Sequence, residues 1–209
     1  MKKKTLTVAI ALVLVVALAV GATYAYLTAS SGPVKNTFVA GGAVKQGDLE
    51  LFEHVAKKNA DGSYTLDPAK KTDGNAYTVM PGVDLPKDPT VNVKAASGAY
   101  YLFVEVTKGE KVDGKTLAYA VDSSKWIRLN IEGREVYAYT ADGQTPTILN
   151  AELSNVTILA NNKITVSGDA AKIGALTADN AKLTFQAYAY QAAGFADAAA
   201  AFTACFGTK

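Results

Sequence analysis

The chain has 209 residues, 49% of them apolar, with 21 Lys and Arg against 19 Asp and Glu for a net charge of +2. Lys2, Lys3 and Lys4 precede every acid, and a chain cut after Ala25 keeps 18 basic against the same 19 acidic residues. That near balance argues against a nucleic-acid partner, whose phosphates need surplus Lys and Arg on one face. The single cysteine, Cys205, excludes an internal disulfide.

The three lysines form a positive n-region, and an apolar run follows from Val8 to Val20. Such a run falls short of the roughly 20 residues that span a bilayer and suits a signal-peptide h-region. Ala25 at −1 and Thr23 at −3 place cleavage between Ala25 and Tyr26; the alternative is an uncleaved N-terminal anchor. The expected organisation is a signal peptide at 1–25, an extended N-terminal segment at 26–47 and a β-rich domain at 48–209.

The domain reads as a succession of short strands. Asp48–Val55 opens it with alternating leucines and acids, and the polar stretch from Lys57 to Gly74 carries two Asp-Gly turns around a short strand, Ser63–Leu66. Three prolines between residues 81 and 89 rule out a helix, leaving turns that end in the strand Thr90–Lys94. Gly98–Thr107 is the strongest strand: Tyr100, Leu102, Val104 and Val106 lie on one face, and Tyr101, Phe103, Glu105 and Thr107 on the other. Two rich faces predict a central position. Thr116–Val121 is expected to form a helical turn. Trp126–Ile131 and Glu135–Thr140 flank Glu132-Gly133-Arg134 as a hairpin. Leu153–Leu159 and Lys163–Val166 continue the β pattern, and Asp169–Ala175 is a short helix or a loop. Lys182–Gln191 alternates cleanly. Phe195–Phe206 is alanine-rich and unbroken, hence helical, with Phe195, Ala199, Phe202 and Phe206 on one apolar stripe and Gly207 as its stop. The fold class is all-β: a β-sandwich or barrel with a short C-terminal helix.

The stretch from Gly21 to Gly42 resembles the signal and mature N-terminus of the TasA/camelysin family, bacterial secreted proteins processed by a SipW-type signal peptidase. The resemblance rests on Thr23, Tyr24, Ala25 and Tyr26, then on Asn36, Thr37, Phe38, Ala40 and Gly41. Further along it rests on Pro81, Gly82, Lys87 and Asp88 before Val91-Asn92-Val93, and on Tyr190-Gln191-Ala192 with Gly194-Phe195. Leu27 stands where the family usually has Phe, residues 42–47 are an insertion, and residues 112–177 carry no family signal. The resemblance implies a jelly-roll-like β-sandwich. It implies a secreted structural subunit of extracellular fibres, as in biofilm matrix, at the cell surface or beyond it.

Chemistry is sparse. The one histidine, His54, cannot supply the paired imidazoles of a zinc peptidase or, without an elbow motif, a serine triad. It reads as an exposed strand-end residue. Cys205 lies among alanines with nothing to lower its pKa; it is buried or pairs between chains. The Asp-Gly pairs are turn residues, and no cofactor is expected. The tyrosine pairs Tyr137/Tyr139 and Tyr188/Tyr190 suggest cross-strand packing, or else a contact surface.

An exported sandwich without catalytic groups is expected to work by assembly. After cleavage, Tyr26, Leu27, Val34, Asn36, Phe38 and Ala40 lie on an extended segment that can add a strand to a neighbouring copy. Head-to-tail contacts of that kind build a homopolymer. The same segment could instead pair within its own domain, a choice most open for Asn36–Ala40. The alternatives are a camelysin-type secreted metallopeptidase and a surface adhesin or carbohydrate-binding module. Membrane contact is expected only transiently, through the signal peptide.

Overall fold

The computed structural model describes residues 29–31, 36–38, 43–45 and 47–207. They form an all-β sandwich of antiparallel sheets with a short C-terminal helix. The first sheet has six strands. At its centre, β7 (Tyr100–Lys108) lies between β13 (Leu183–Gln191) and β10 (Glu135–Tyr139), with β9 (Trp126–Leu129) beyond β10. On the other side of β13 come β1 (Ala29–Ser31) and then β2 (Asn36–Phe38). The second sheet runs β11 (Leu153–Thr157), β6 (Thr90–Val93), β3 (Leu49–Lys58) and β4 (Tyr64–Thr72). A third, small sheet joins β5 (Leu85–Pro86), β12 (Lys163–Val166) and β8 (Leu117–Ala118).

The period-two pattern of β7 and β13 explains why the first sheet is covered on both faces. Tyr100, Leu102, Val104 and Val106 of β7, with Phe185, Ala187 and Ala189 of β13, point at the second sheet and meet Leu49, Val91 and Val93. The opposite residues, Tyr101 and Phe103 with Tyr188 and Tyr190, are covered by the helix α2 (Ala198–Phe206) through Ala198, Ala201 and Phe202. Seven consecutive residues, Tyr100–Val106, are therefore buried, the signature of a strand with a layer on each side. Trp126 fills the first core and donates its indole N–H to Thr157 O at 2.9 Å.

The body takes in Ala43 and Val44, both buried, ahead of the boundary at 48 that the sequence suggested. Residues 116–121 and the start of the C-terminal helix differ from expectation, as does β4, which runs on to Thr72 beyond the expected Ser63–Leu66. Residues 116–121 are not a helical turn: Leu117 and Ala118 pair with Val166 and Thr165 of β12. Asp113 accepts the N–H groups of Lys115 and Thr116 at 2.8 and 2.6 Å and turns the chain there, which sends Leu117 into the core. The C-terminal helix begins at Ala198, because Asp197 is its N-cap and accepts from Ala200 N. Phe195 sits ahead of the helix against Tyr190. The stretch left as helix or loop is a helix, α1 (Ala170–Gly174), capped by Asp169.

The expected hairpin across residues 132–134 forms β9 and β10, with Val136 opposite Leu129. Gly133 takes φ 67°, a value that a residue with Cβ adopts at a cost. In β11 the register slips between Leu153 and Val156, and Asn155 there has φ 57° while its N–H is held by Asn92 Oδ1 at 2.6 Å. Asn tolerates that conformation better than other side-chain-bearing residues. Among the described residues no helix is long and apolar enough to cross a membrane.

Candidate functional site

Three features of the fold are candidates: the β13 side of the first sheet, where β1 and β2 add to it, the clamp that holds α2, and a polar cluster between the sheets. Ala25, Tyr26, Leu27, Val34 and Ala40 lie outside the described residues; Asn36 and Phe38 lie on β2. β13 carries nine register pairs with β7, from Leu183 opposite Lys108 to Gln191 opposite Tyr100. Across its other side β1 places Ser30 opposite Tyr188, and β2 pairs with β1 from Ala29–Phe38 to Ser31–Asn36. The last two strands of the sheet are thus three residues each. They precede the body in sequence, and the pairing described is within the chain.

Glu105 interrupts the apolar outer face of β7, and its reason is tertiary. Arg134, in the β9–β10 turn, donates Nε to Glu105 Oε1 at 2.8 Å and Nη2 to Oε2 at 2.6 Å. Tyr188 donates its hydroxyl to the same carboxylate at 3.0 Å. Arg134 Nη1 donates to the carbonyls of Phe206 and Gly207 at 2.6 and 3.0 Å, and the guanidinium lies 4.7 Å from the Phe202 ring centre. One residue so satisfies the carboxylate and the open carbonyls at the end of α2. Glu105 raises the pKa of Arg134, and burial, with Glu105 beside it, raises that of the Tyr188 hydroxyl. Tyr188 and Tyr190 are therefore packed under α2, with Phe206 4.4 Å from Tyr188 between ring centres. Tyr137 and Tyr139 pack at the edge of the first core, Tyr139 edge-on to Trp126. Cys205 is half-buried, and burial pushes its thiol up to about 11.

The third feature surrounds the histidine. His54 does not sit exposed at a strand end. It lies within β3, half-buried, and both its backbone N–H and its ring engage Asp88, at 3.0 and 2.6 Å. The preceding side chain, Glu53, points inward and accepts from Lys87 Nζ at 2.5 Å and from Asn75 Nδ2 at 3.1 Å. Asn75 Nδ2 also donates to His54 O, and its Oδ1 accepts Ala56 N–H at 2.7 Å. This takes place where β3 and β4 slip register between His54 and Val55, so side chains occupy backbone groups that the ladder leaves. Bulges of this kind often re-aim side chains beside functional sites. Two clefts meet here, of about 610 and 200 Å³, and Asn75 and Lys87 line both.

Sequence reasoning placed Lys87 and Asp88 in a motif but did not connect them to Glu53 and His54. The signal available was a Lys-Asp pair fixed between two prolines, Pro86 and Pro89, opposite a Glu-His pair on a strand of mixed pattern. Among the described residues no three His, Cys, Asp or Glu side chains are grouped to hold a metal ion. Comparison with protein-family models, with curated proteins and with solved structures finds no match to the chain.

Proposed function

We propose that the protein is a secreted structural subunit that assembles with copies of itself into extracellular fibres, by adding its N-terminal segment as a strand to the β13 edge of a neighbour. The observation that carries this reading is the make-up of that edge. Beside the nine-residue β13 lies the three-residue β1, and beyond β1 the three-residue β2, both from the segment that precedes the body in sequence. Short strands of this length contribute little on their own, and backbone pairing does not depend on which copy supplies the strand. A segment that pairs in its own chain can then exchange into the next, and the contact repeats without closing. The N-terminal resemblance to TasA/camelysin proteins and the leader-like residues 1–25 support export before assembly, with a SipW-type peptidase releasing the segment.

The experiment compares the chain cut after Ala25 with one that also lacks residues 26–40, by electron microscopy and sedimentation. The expected result is filaments from the first and a folded monomer, with a cooperative thermal transition, from the second. Filaments from the shortened chain would refute strand exchange by this segment.

A further inference from the structure

We infer that Lys87 and Asn75 are the reactants of an intramolecular amide bond, with Glu53 as the proton carrier between them. The three side chains already meet in the required order. Glu53 is 6% exposed and Lys87 9%, and opposite oxygens of the one carboxylate contact the Lys87 amine at 2.5 Å and the Asn75 amide nitrogen at 3.1 Å. The carbonyl of Asn75 is polarised by Ala56 N–H at 2.7 Å, a fixed donor where negative charge develops on attack. The amide cannot flip without losing these contacts and the one from Nδ2 to His54 O at 2.9 Å. The site is lined by Phe185, Phe52 and Leu183, and the amine lies 5.7 Å from the Phe185 ring centre.

The step balances without any other reactant. Glu53 takes one proton from the Lys87 ammonium, and the freed lone pair attacks Asn75 Cγ, for which Nζ must close to about 3–3.5 Å. The Nζ–Cγ bond forms and the Cγ–Nδ2 bond breaks. Glu53 passes that first proton to Nδ2, which leaves as ammonia, and takes the second proton from Nζ, ending as a neutral acid. No redox change occurs. The driving force has a structural source: a buried ion pair, whose desolvation offsets most of its attraction, becomes three neutral groups. Ammonia has an exit, since the two clefts meet at Asn75 and Lys87. The product would staple the segment after β4 to the turn before β6, across β3. It does not depend on fibre formation and is read from single molecules.

The chain has two methionines, Met1 and Met80, and Met80 lies between Asn75 and Lys87. Cyanogen bromide therefore cuts the backbone between the two reactants. With the bond in place, the folded chain weighs one ammonia less than its sequence requires, and the two halves stay joined after cleavage. Glu53→Gln, which keeps the shape but not the proton transfer, and Lys87→Leu give full mass and separate halves. Full mass and separate halves in the native sequence would overturn the proposal, whether or not either variant folds. So would an ammonia loss with separable halves, which places the loss in cyclised Asn75 alone.

Discussion

Replacing Arg134 by Met tests whether the clamp on α2 behaves as a buried pair or as a surface one. The Arg134 and Glu105 side chains are 10% and 9% exposed, and the carboxylate would lose both guanidinium bonds, leaving the Tyr188 hydroxyl beside it. Removing one member of a buried pair costs about 3–5 kcal/mol, against about 0.2–1 kcal/mol for an exposed one. The larger figure corresponds to a fall in Tm of about 6–20 °C for a domain of this size. The carbonyls of Phe206 and Gly207 lose their donor as well, so part of the loss is local detachment of α2. That would expose the Tyr101, Phe103, Tyr188 and Tyr190 face and raise binding of an apolar dye before global unfolding. Urea titration of Arg134→Met, of Glu105→Leu and of the double variant completes the cycle. The double variant should recover the share due to the unpaired carboxylate, staying short by about 1 kcal/mol for the orphaned Tyr188 hydroxyl and by the share due to the Phe206 and Gly207 carbonyls, whose donor it also lacks. A loss below about 1 kcal/mol in Arg134→Met, or no recovery in the double, would refute the clamp.

The Cys205 thiol, raised to about 11 by burial, should resist thiol reagents at neutral pH in the folded chain and react fast in urea; its protonated form favours folding below its ordinary value of 9.0 and that contribution is lost as pH rises through about 11, so fast labelling of the folded chain at neutral pH would contradict the placement. Burial opposes ionisation of Glu135, but Lys108 at 2.8 Å and the Tyr119 hydroxyl outweigh it and hold its carboxyl below the ordinary 4.5. Its contribution is present above 4.5 and lost as pH falls through the lowered value, so Glu135→Gln should flatten the acid limb of Tm against pH. Gly109→Ala places a Cβ 2.4 Å from the backbone oxygen of Asn180; the chain shift that this forces costs about 1–3 kcal/mol, and a Tm unchanged by the substitution would show that the two loops separate freely.

The amino-acid sequence by itself determined the all-β class, the central place of residues 100–107, the 132–134 hairpin and the terminal alanine helix. Each is written in local signals: alternation with period two, a Gly between two strands, a run of strong helix formers. It also marked Glu105 as a charge inside an apolar strand. Only the tertiary structure decided what that charge meets, because Arg134 lies 29 residues away, and which partner faces it depends on strand register. The same holds for Glu53, His54, Asn75, Lys87 and Asp88. Their pairing needs β3 to slip against β4 between His54 and Val55 and a proline-bound segment to cross beneath it, neither of which any short window of sequence encodes. Leu117 makes the same point from the other side: its neighbours favour a turn, but burial of one leucine against β12 outweighs a weak local preference.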